Sequence, residues 1–202
     1  MFKIFCVTNR HVCHGDYLTR IRNLVECRML SGLILREKDM LENEYRALAA
    51  QVCRICESSD CLCVLHRFVD VAKEQNYRTV HLPMPILRSL SENTMREFDL
   101  LGTSCHSLKE AQEAEQLGCH YVIVGHLFPN ACKRWQLGRG VNFLKSVCSG
   151  VDIPVYAIGG ICIENITLIR DAGAAGACLM SSMMVCENPE CYVKTLQERL
   201  EF

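Results

Sequence analysis

Short apolar runs alternate along this chain with stretches in which apolar residues recur every three or four positions. The short runs predict strands at Lys3–Thr8, Gly32–Arg36, Cys61–His66, Thr79–Leu82, Phe98–Thr103, Tyr121–Val124, Pro154–Ile158 and Ala177–Ser181. Between them lie helical patterns, such as Leu18, Ile21, Val25 and Met29. Ser107-Leu108-Lys109-Glu110 reads as a capping box, with the serine oxygen accepting an amide and the glutamate reaching back. Ile166, Ile169 and Ala172 form another stripe that stops at Gly173, where glycine tolerates the positive φ of a helix end. Eight strand–helix units at about 25 residues each lie near the lower size limit of a closed barrel. A weak repeat supports closure, because Leu30-Ser31-Gly32, Gln75-Asn76-Tyr77, Leu117-Gly118-Cys119 and Asp171-Ala172-Gly173 each lead from a helix into an apolar run. The expectation is an α/β protein, a compact (β/α)8 TIM barrel forming a single domain over residues 1–202.

Composition narrows the class. Of 202 residues, 50% are hydrophobic and 22% charged, which argues against disorder. A net charge of −1 provides no global attraction to nucleic acid or to a membrane surface, so neither is expected as a partner. Met1 to Arg10 lacks the pattern of a secretory signal. The apolar-leaning stretch Ala172 to Cys186 is too short, and too broken by glycine and serine, to span a bilayer. The fifteen cysteines are an odd number in a chain larger than usual disulfide scaffolds, which points to the reducing cytoplasm. Cys53, Cys56, Cys61 and Cys63 could form a zinc knuckle. Their periodicity favours core packing: the first two lie on a helical stripe with Leu48 and Val52, and the others alternate along a strand.

Barrels of this kind carry their chemistry at the carboxyl ends of the strands. Those ends offer Asn9 and Arg10, Arg36 and Lys38, His66 and Arg67, His81, Ser104 and His106, His126, Gly159-Gly160 and Ser181-Ser182. The last two pairs follow the seventh and eighth strands, where backbone amides commonly receive a phosphate; Gly159, Gly160, Ser181 and Ser182 are therefore phosphate-binding candidates. The long segment Gly125–Gly138, with Pro129 and the single tryptophan, Trp135, has the length of a functional loop. Four rim histidines (66, 81, 106 and 126) raise a metal reading, but Glu37 between Arg36 and Lys38 is the only acid at these ends. No metal is expected.

These residues also resemble a known family over nearly the whole length. Val7-Thr8, Leu35-Arg36-Glu37-Lys38, Val80-His81-Leu82, Ser104-Cys105-His106-Ser107, Tyr121-Val122-Ile123-Val124-Gly125 and Ile153-Pro154-Val155-Tyr156-Ala157-Ile158-Gly159-Gly160-Ile161 are similar to landmarks of the thiamine phosphate synthase superfamily. One branch of it condenses a pyrimidine pyrophosphate with a thiazole phosphate and needs magnesium. The other, the TenI-like thiazole tautomerases, aromatises a thiazole phosphate carboxylate without a metal. The synthase pattern has Asn-Asp after the third strand, a carboxylate after the fourth and Gly-Pro after the sixth. This chain has His66-Arg67, then His81-Leu82-Pro83-Met84-Pro85-Ile86, then Gly125-His126. Gly125-His126, followed by Leu127-Phe128, Cys132-Lys133 and Gly138-Arg139-Gly140, resembles the tautomerase loop.

The resemblance thus implies a thiazole tautomerase, an isomerase of thiamine biosynthesis with no cofactor. His126 would be its catalytic acid–base, a role suited to a group with a reference pKa of about 6.5. Arg36, Lys38, His66 and Lys133 would bind the substrate, a small-molecule thiazole phosphate. A homodimer is expected of this branch. The alternatives are the magnesium-dependent synthase itself, or a non-catalytic regulatory protein that binds a phosphate ligand.

Overall fold

The computed structural model describes residues 2–129 and 138–201. Eight parallel strands close in chain order into one barrel: β1 (Lys3–Val7), β2 (Gly32–Leu35), β3 (Cys63–His66), β4 (Thr79–Pro83), β5 (Leu100–Cys105), β6 (Tyr121–Val124), β7 (Val155–Ile158) and β8 (Gly176–Leu179). The register of β1 against β8, from Lys3 opposite Gly176 to Cys6 opposite Leu179, completes the ring. Around it lie α1 (Tyr17–Glu26), α2 (Glu42–Ser58), α3 (Val69–Glu74), α4 (Met84–Ser89), α5 (Glu92–Met95), α6 (Leu108–Gln116), α7 (Gly140–Cys148), α8 (Ile166–Asp171), α9 (Ser181–Val185) and α10 (Pro189–Glu201).

Strand alternation sorts the side chains into two cores. Ile4, Cys6, Leu33, Leu35, Leu65, Val80, Leu82, Val122, Val124, Ala157 and Leu179 face the helices. Phe5, Val7, Ile34, Val64, Tyr121, Ile123, Tyr156 and Cys178 fill the barrel. Both faces are apolar, as expected for a parallel sheet covered by helices, so the strands read as continuous runs. Gly102 on β5 is glycine because the ring of Tyr121 lies where its Cβ would stand. The stripe on α1 buries Ile21, Leu24 and Val25, and the helix ends before Met29.

Several expected boundaries move, each for a hydrogen-bonding reason. Cys61 is not in a strand: its amide turns back to the Cys56 carbonyl at 2.9 Å and closes α2, so β3 starts at Cys63. Ser181 also leaves the sheet, as β8 stops at Leu179 and Ser181 opens α9. β5 runs Leu100–Cys105 because the Asp99 and Leu100 amides are held by the Arg78 carbonyl, and Phe98 packs in the outer core instead. The cap of α6 is half of the expected box. Glu110 N–H donates to Ser107 Oγ at 3.1 Å, but the Glu110 carboxylate accepts from His106 N–H, one residue earlier. Cys53, Cys56 and Cys63 are core residues, with the sulfurs of Cys53 and Cys63 3.6 Å apart. No helix among the described residues is long and apolar enough to cross a membrane.

Candidate active site

The end of β2 is organised by Glu37, a carboxylate only 1% exposed. Its Oε1 accepts from the Thr8 hydroxyl (2.8 Å) and the Tyr17 hydroxyl (2.7 Å). Its Oε2 accepts from Arg10 N–H (3.0 Å) and the Arg10 guanidinium (3.3 Å). Arg36 N–H donates to Thr8 Oγ1 at 2.9 Å, so the network fixes the backbone that carries Arg36. Asp39 engages Arg10 and His11, whose hydrogen bonds hold its carboxyl well below the usual range. The acids of this corner thus serve the first two strand–helix connections.

A column of rings rises inside the barrel toward its carboxyl end. Phe5 meets Tyr156 edge-on at 5.2 Å, Tyr156 meets Tyr121 at 5.5 Å, Tyr121 meets His81 at 5.6 Å, and His81 stacks on His66 at 6.0 Å. His81 is mid-strand rather than at a strand end. Its Nδ1 lies 3.1 Å from Tyr121 Oη and its Nε2 2.8 Å from Ser104 Oγ. Burial, assisted by Arg36, lowers its pKa to about 3, so the ring is neutral. His66, at the top of the column, is fixed through its backbone: its N–H donates to Tyr45 Oη, and that hydroxyl donates to Leu35 O. His66 Nδ1 has no hydrogen-bond partner among the described residues. Burial, then the neighbouring His81, Arg36, Lys38 and Arg67, push the His66 pKa well below its ordinary value.

Arg67 follows at a φ of +63°, a conformation uncommon outside glycine. Its N–H donates to His81 O (3.2 Å), its Nη1 to Lys38 O (2.8 Å), and its guanidinium lies over the Phe68 ring at 4.8 Å. Beyond Phe68 opens a groove of about 340 Å³ lined by Arg67, Phe68, Lys73, Ile86 and Leu90 among others.

Across the mouth, His126 is buried, and its carbonyl accepts from Arg139 N–H. Gly159 and Gly160 both adopt positive φ. A Cβ on Gly159 would strike His126, and one on Gly160 would strike Phe128 and Pro129, so the β6 and β7 connections pack backbone to backbone. Phe128 N–H donates to Gly159 O, and Asn165 Nδ2 to Gly160 O. Ser181 is exposed and Ser182 half-buried in the first turn of α9.

The structure therefore brings Arg36, Lys38, His66 and Arg67 together at the ends of β2 and β3. His126 and Gly159-Gly160 meet at the ends of β6 and β7. Lys133 and Cys132 lie outside the described residues. His106 is exposed and does not join the buried histidines. Sequence reasoning missed Tyr45, Tyr121 and the Glu37 network. Only the parity of Tyr121 on its strand, which points it into the barrel, was a usable signal.

Comparison with known proteins defines the class. The model of the thiamine monophosphate synthase family (TMP-TENI) matches residues 4–183, and the chain belongs to that family. It is 29% identical over 204 residues to "Thiamine-phosphate synthase 2" of Streptococcus pneumoniae serotype 4, covering 98% of this chain and 95% of the relative. It is 28% identical to the thiamine-phosphate synthase of Pyrococcus abyssi with the same coverage. The solved thiamine phosphate pyrophosphorylase of Pyrococcus furiosus superposes with a TM-score of 0.83 at 25% identity, covering 99% of this chain and 96% of that one. These names correct the isomerase expectation. The relatives are synthases, hence transferases, and the tautomerase role given to His126 falls with that reading.

The synthase branch was said above to need magnesium, a cation that takes oxygen ligands, usually carboxylates. The residues here do not fit it. β3 ends in His66-Arg67 and β4 in Pro83-Met84, and both Glu37 oxygens are engaged. Among the described residues no group of three His, Cys, Asp or Glu side chains is placed to hold a metal ion.

Proposed function

We propose that this chain is a thiamine-phosphate synthase, joining a pyrimidine pyrophosphate to a thiazole phosphate with release of pyrophosphate. The reading is carried by relatives of that name that align over nearly their whole length and this chain's. The positive rim supports it. As the bond from the pyrimidine carbon to the pyrophosphate oxygen breaks, the leaving group keeps the electron pair, and negative charge grows on it. Cations fixed in advance around that charge stabilise it without reorganising.

Arg36 and Lys38 are the residues assigned to the pyrophosphate, with Lys133 as a further cation. Gly159, Gly160, Ser181 and Ser182 are assigned to the thiazole phosphate, following the usual phosphate position after the seventh and eighth strands. His66 and His126 border the space between these two anions, where holding the partners in line is itself a large part of the rate. The fourteen free cysteines among the described residues support a reducing, cytoplasmic setting. Sedimentation tests the homodimer that the family resemblance implies.

The decisive assay supplies both substrates and follows thiamine phosphate by mass spectrometry and pyrophosphate by a coupled reaction. Equal amounts of the two products are expected. A folded protein that makes neither, with or without magnesium, overturns the reading.

A further inference from the structure

We propose that the rim at the ends of β2 and β3 binds the diphosphate group of the substrate without a divalent cation, with Arg67 supplying the positive charge and His66 Nδ1–H a hydrogen bond. The identity of the diphosphate rests on the function proposed above; the site rests on the following geometry.

His66 is 5% exposed, yet its Nδ1 finds no partner among the described residues. Buried polar atoms are rarely left so, and one that faces a cluster of cations is placed to meet an anion. The ring is neutral, because burial and the surrounding positive charge push its pKa down, and a neutral imidazole carrying its proton on Nδ1 donates to a phosphate oxygen. Its orientation is set independently of any ligand by the Tyr45 hydroxyl on its backbone and by the stack on His81.

Arg67 is held as firmly. Its backbone is tied to His81 O, its guanidinium stacks on Phe68, and one Nη1 donor reaches Lys38 O. A guanidinium has five N–H donors in a fixed fork, so donors remain for a two-pronged contact with phosphate oxygens. The Lys38 backbone is tied to the Arg67 guanidinium, its charge acts on His66, and Arg36 is close enough to depress both histidines. A dication here would face the charges of Arg36, Lys38 and Arg67, while the carboxylates that line the groove beside Arg67 are Glu42, which is paired with Arg46, and Asp70. An anion meets the same three charges with favourable sign.

The test titrates inorganic pyrophosphate calorimetrically into the full-length protein in EDTA. Saturable binding is expected, altered less than about two-fold by added magnesium, since no metal bridges the contact. Arg67→Ala should weaken it by about ten-fold or more, Arg67→Lys by less, and His66→Phe by several-fold. Arg67→Asp should abolish binding in EDTA and regain it with magnesium, because it places a carboxylate where the guanidinium stood. Wild-type binding that appears only with magnesium overturns the proposal, and this result needs no variant to fold. So does equal affinity in wild type and Arg67→Ala. If pyrophosphate binds in EDTA but no condensation occurs, the site stands and the functional reading fails. If condensation requires magnesium and pyrophosphate does not bind in EDTA, the functional reading stands and this site fails.

Discussion

At the end of β2, the buried carboxylate of Glu37 accepts from Thr8, Tyr17 and Arg10, whereas one strand away His66 keeps a buried ring nitrogen with no partner among the described residues. Both groups are polar, both are nearly inaccessible, and both lie on the same rim. Their surroundings differ in what completes them. Glu37 is completed by the first strand–helix connection of its own chain, so it belongs to the fold. No described residue completes His66, and the charges of the adjacent Arg36, Lys38 and Arg67 favour an anion there. Saturation of hydrogen-bonding capacity thus separates a structural polar residue from a ligand-facing one where position alone does not.

The difference can be broken most forcefully at Glu37. Glu37→Ala strands two hydroxyls and an amide and removes one of the two carboxylates that hold Arg10, so a loss of about 3–4 kcal/mol is expected in urea denaturation. A loss below about 1 kcal/mol would mean that the network does not hold the rim.

A smaller effect follows from His81, on which the His66 ring stacks inside the barrel. Its pKa falls from 6.5 to about 3 on folding, through burial. Below pH 6.5 the unfolded chain therefore takes up a proton that the folded chain refuses. The stabilisation is complete above pH 6.5 and declines as the pH drops toward 3. At pH 4.5 the loss amounts to roughly 2–3 kcal/mol. Subtracting the pH–stability curve of His81→Gln from that of the wild type isolates it, and a flat difference curve between pH 6.5 and 4.5 removes the claim.

The strands were legible because both faces of a covered parallel sheet are apolar, and Tyr121–Val124 coincides with β6. Their ends were not, since Cys61 and Ser181 are taken from the sheet by local hydrogen bonds to α2 and by the start of α9. Arg36 and His66 were readable as rim residues from their place at strand ends. Glu37 was readable as an acid between two cations but not as the centre of a network, because its partners lie about 20 to 29 residues earlier in the chain and meet it only in three dimensions. The reaction was misassigned for a related reason. His66-Arg67 and Gly125-His126 were weighed as markers of a branch, but similarity over the whole length lies with the synthases. Residues of different charge can occupy one rim and still hold the same kind of anion, provided no metal is asked to mediate.

The smallest effect is the most discriminating. His66→Phe retains a planar ring for the stack on His81 and leaves the backbone bond to Tyr45 untouched. Because Nδ1 has no partner to lose among the described residues, and an unsatisfied buried nitrogen is itself unfavourable, stability should change by less than about 1 kcal/mol and in the upward direction. Urea denaturation of this variant beside Glu37→Ala puts the two regions on one scale. A fall of about 2 kcal/mol or more at His66 would show that its nitrogen already serves the fold, and the contrast between a completed corner and a waiting one would disappear.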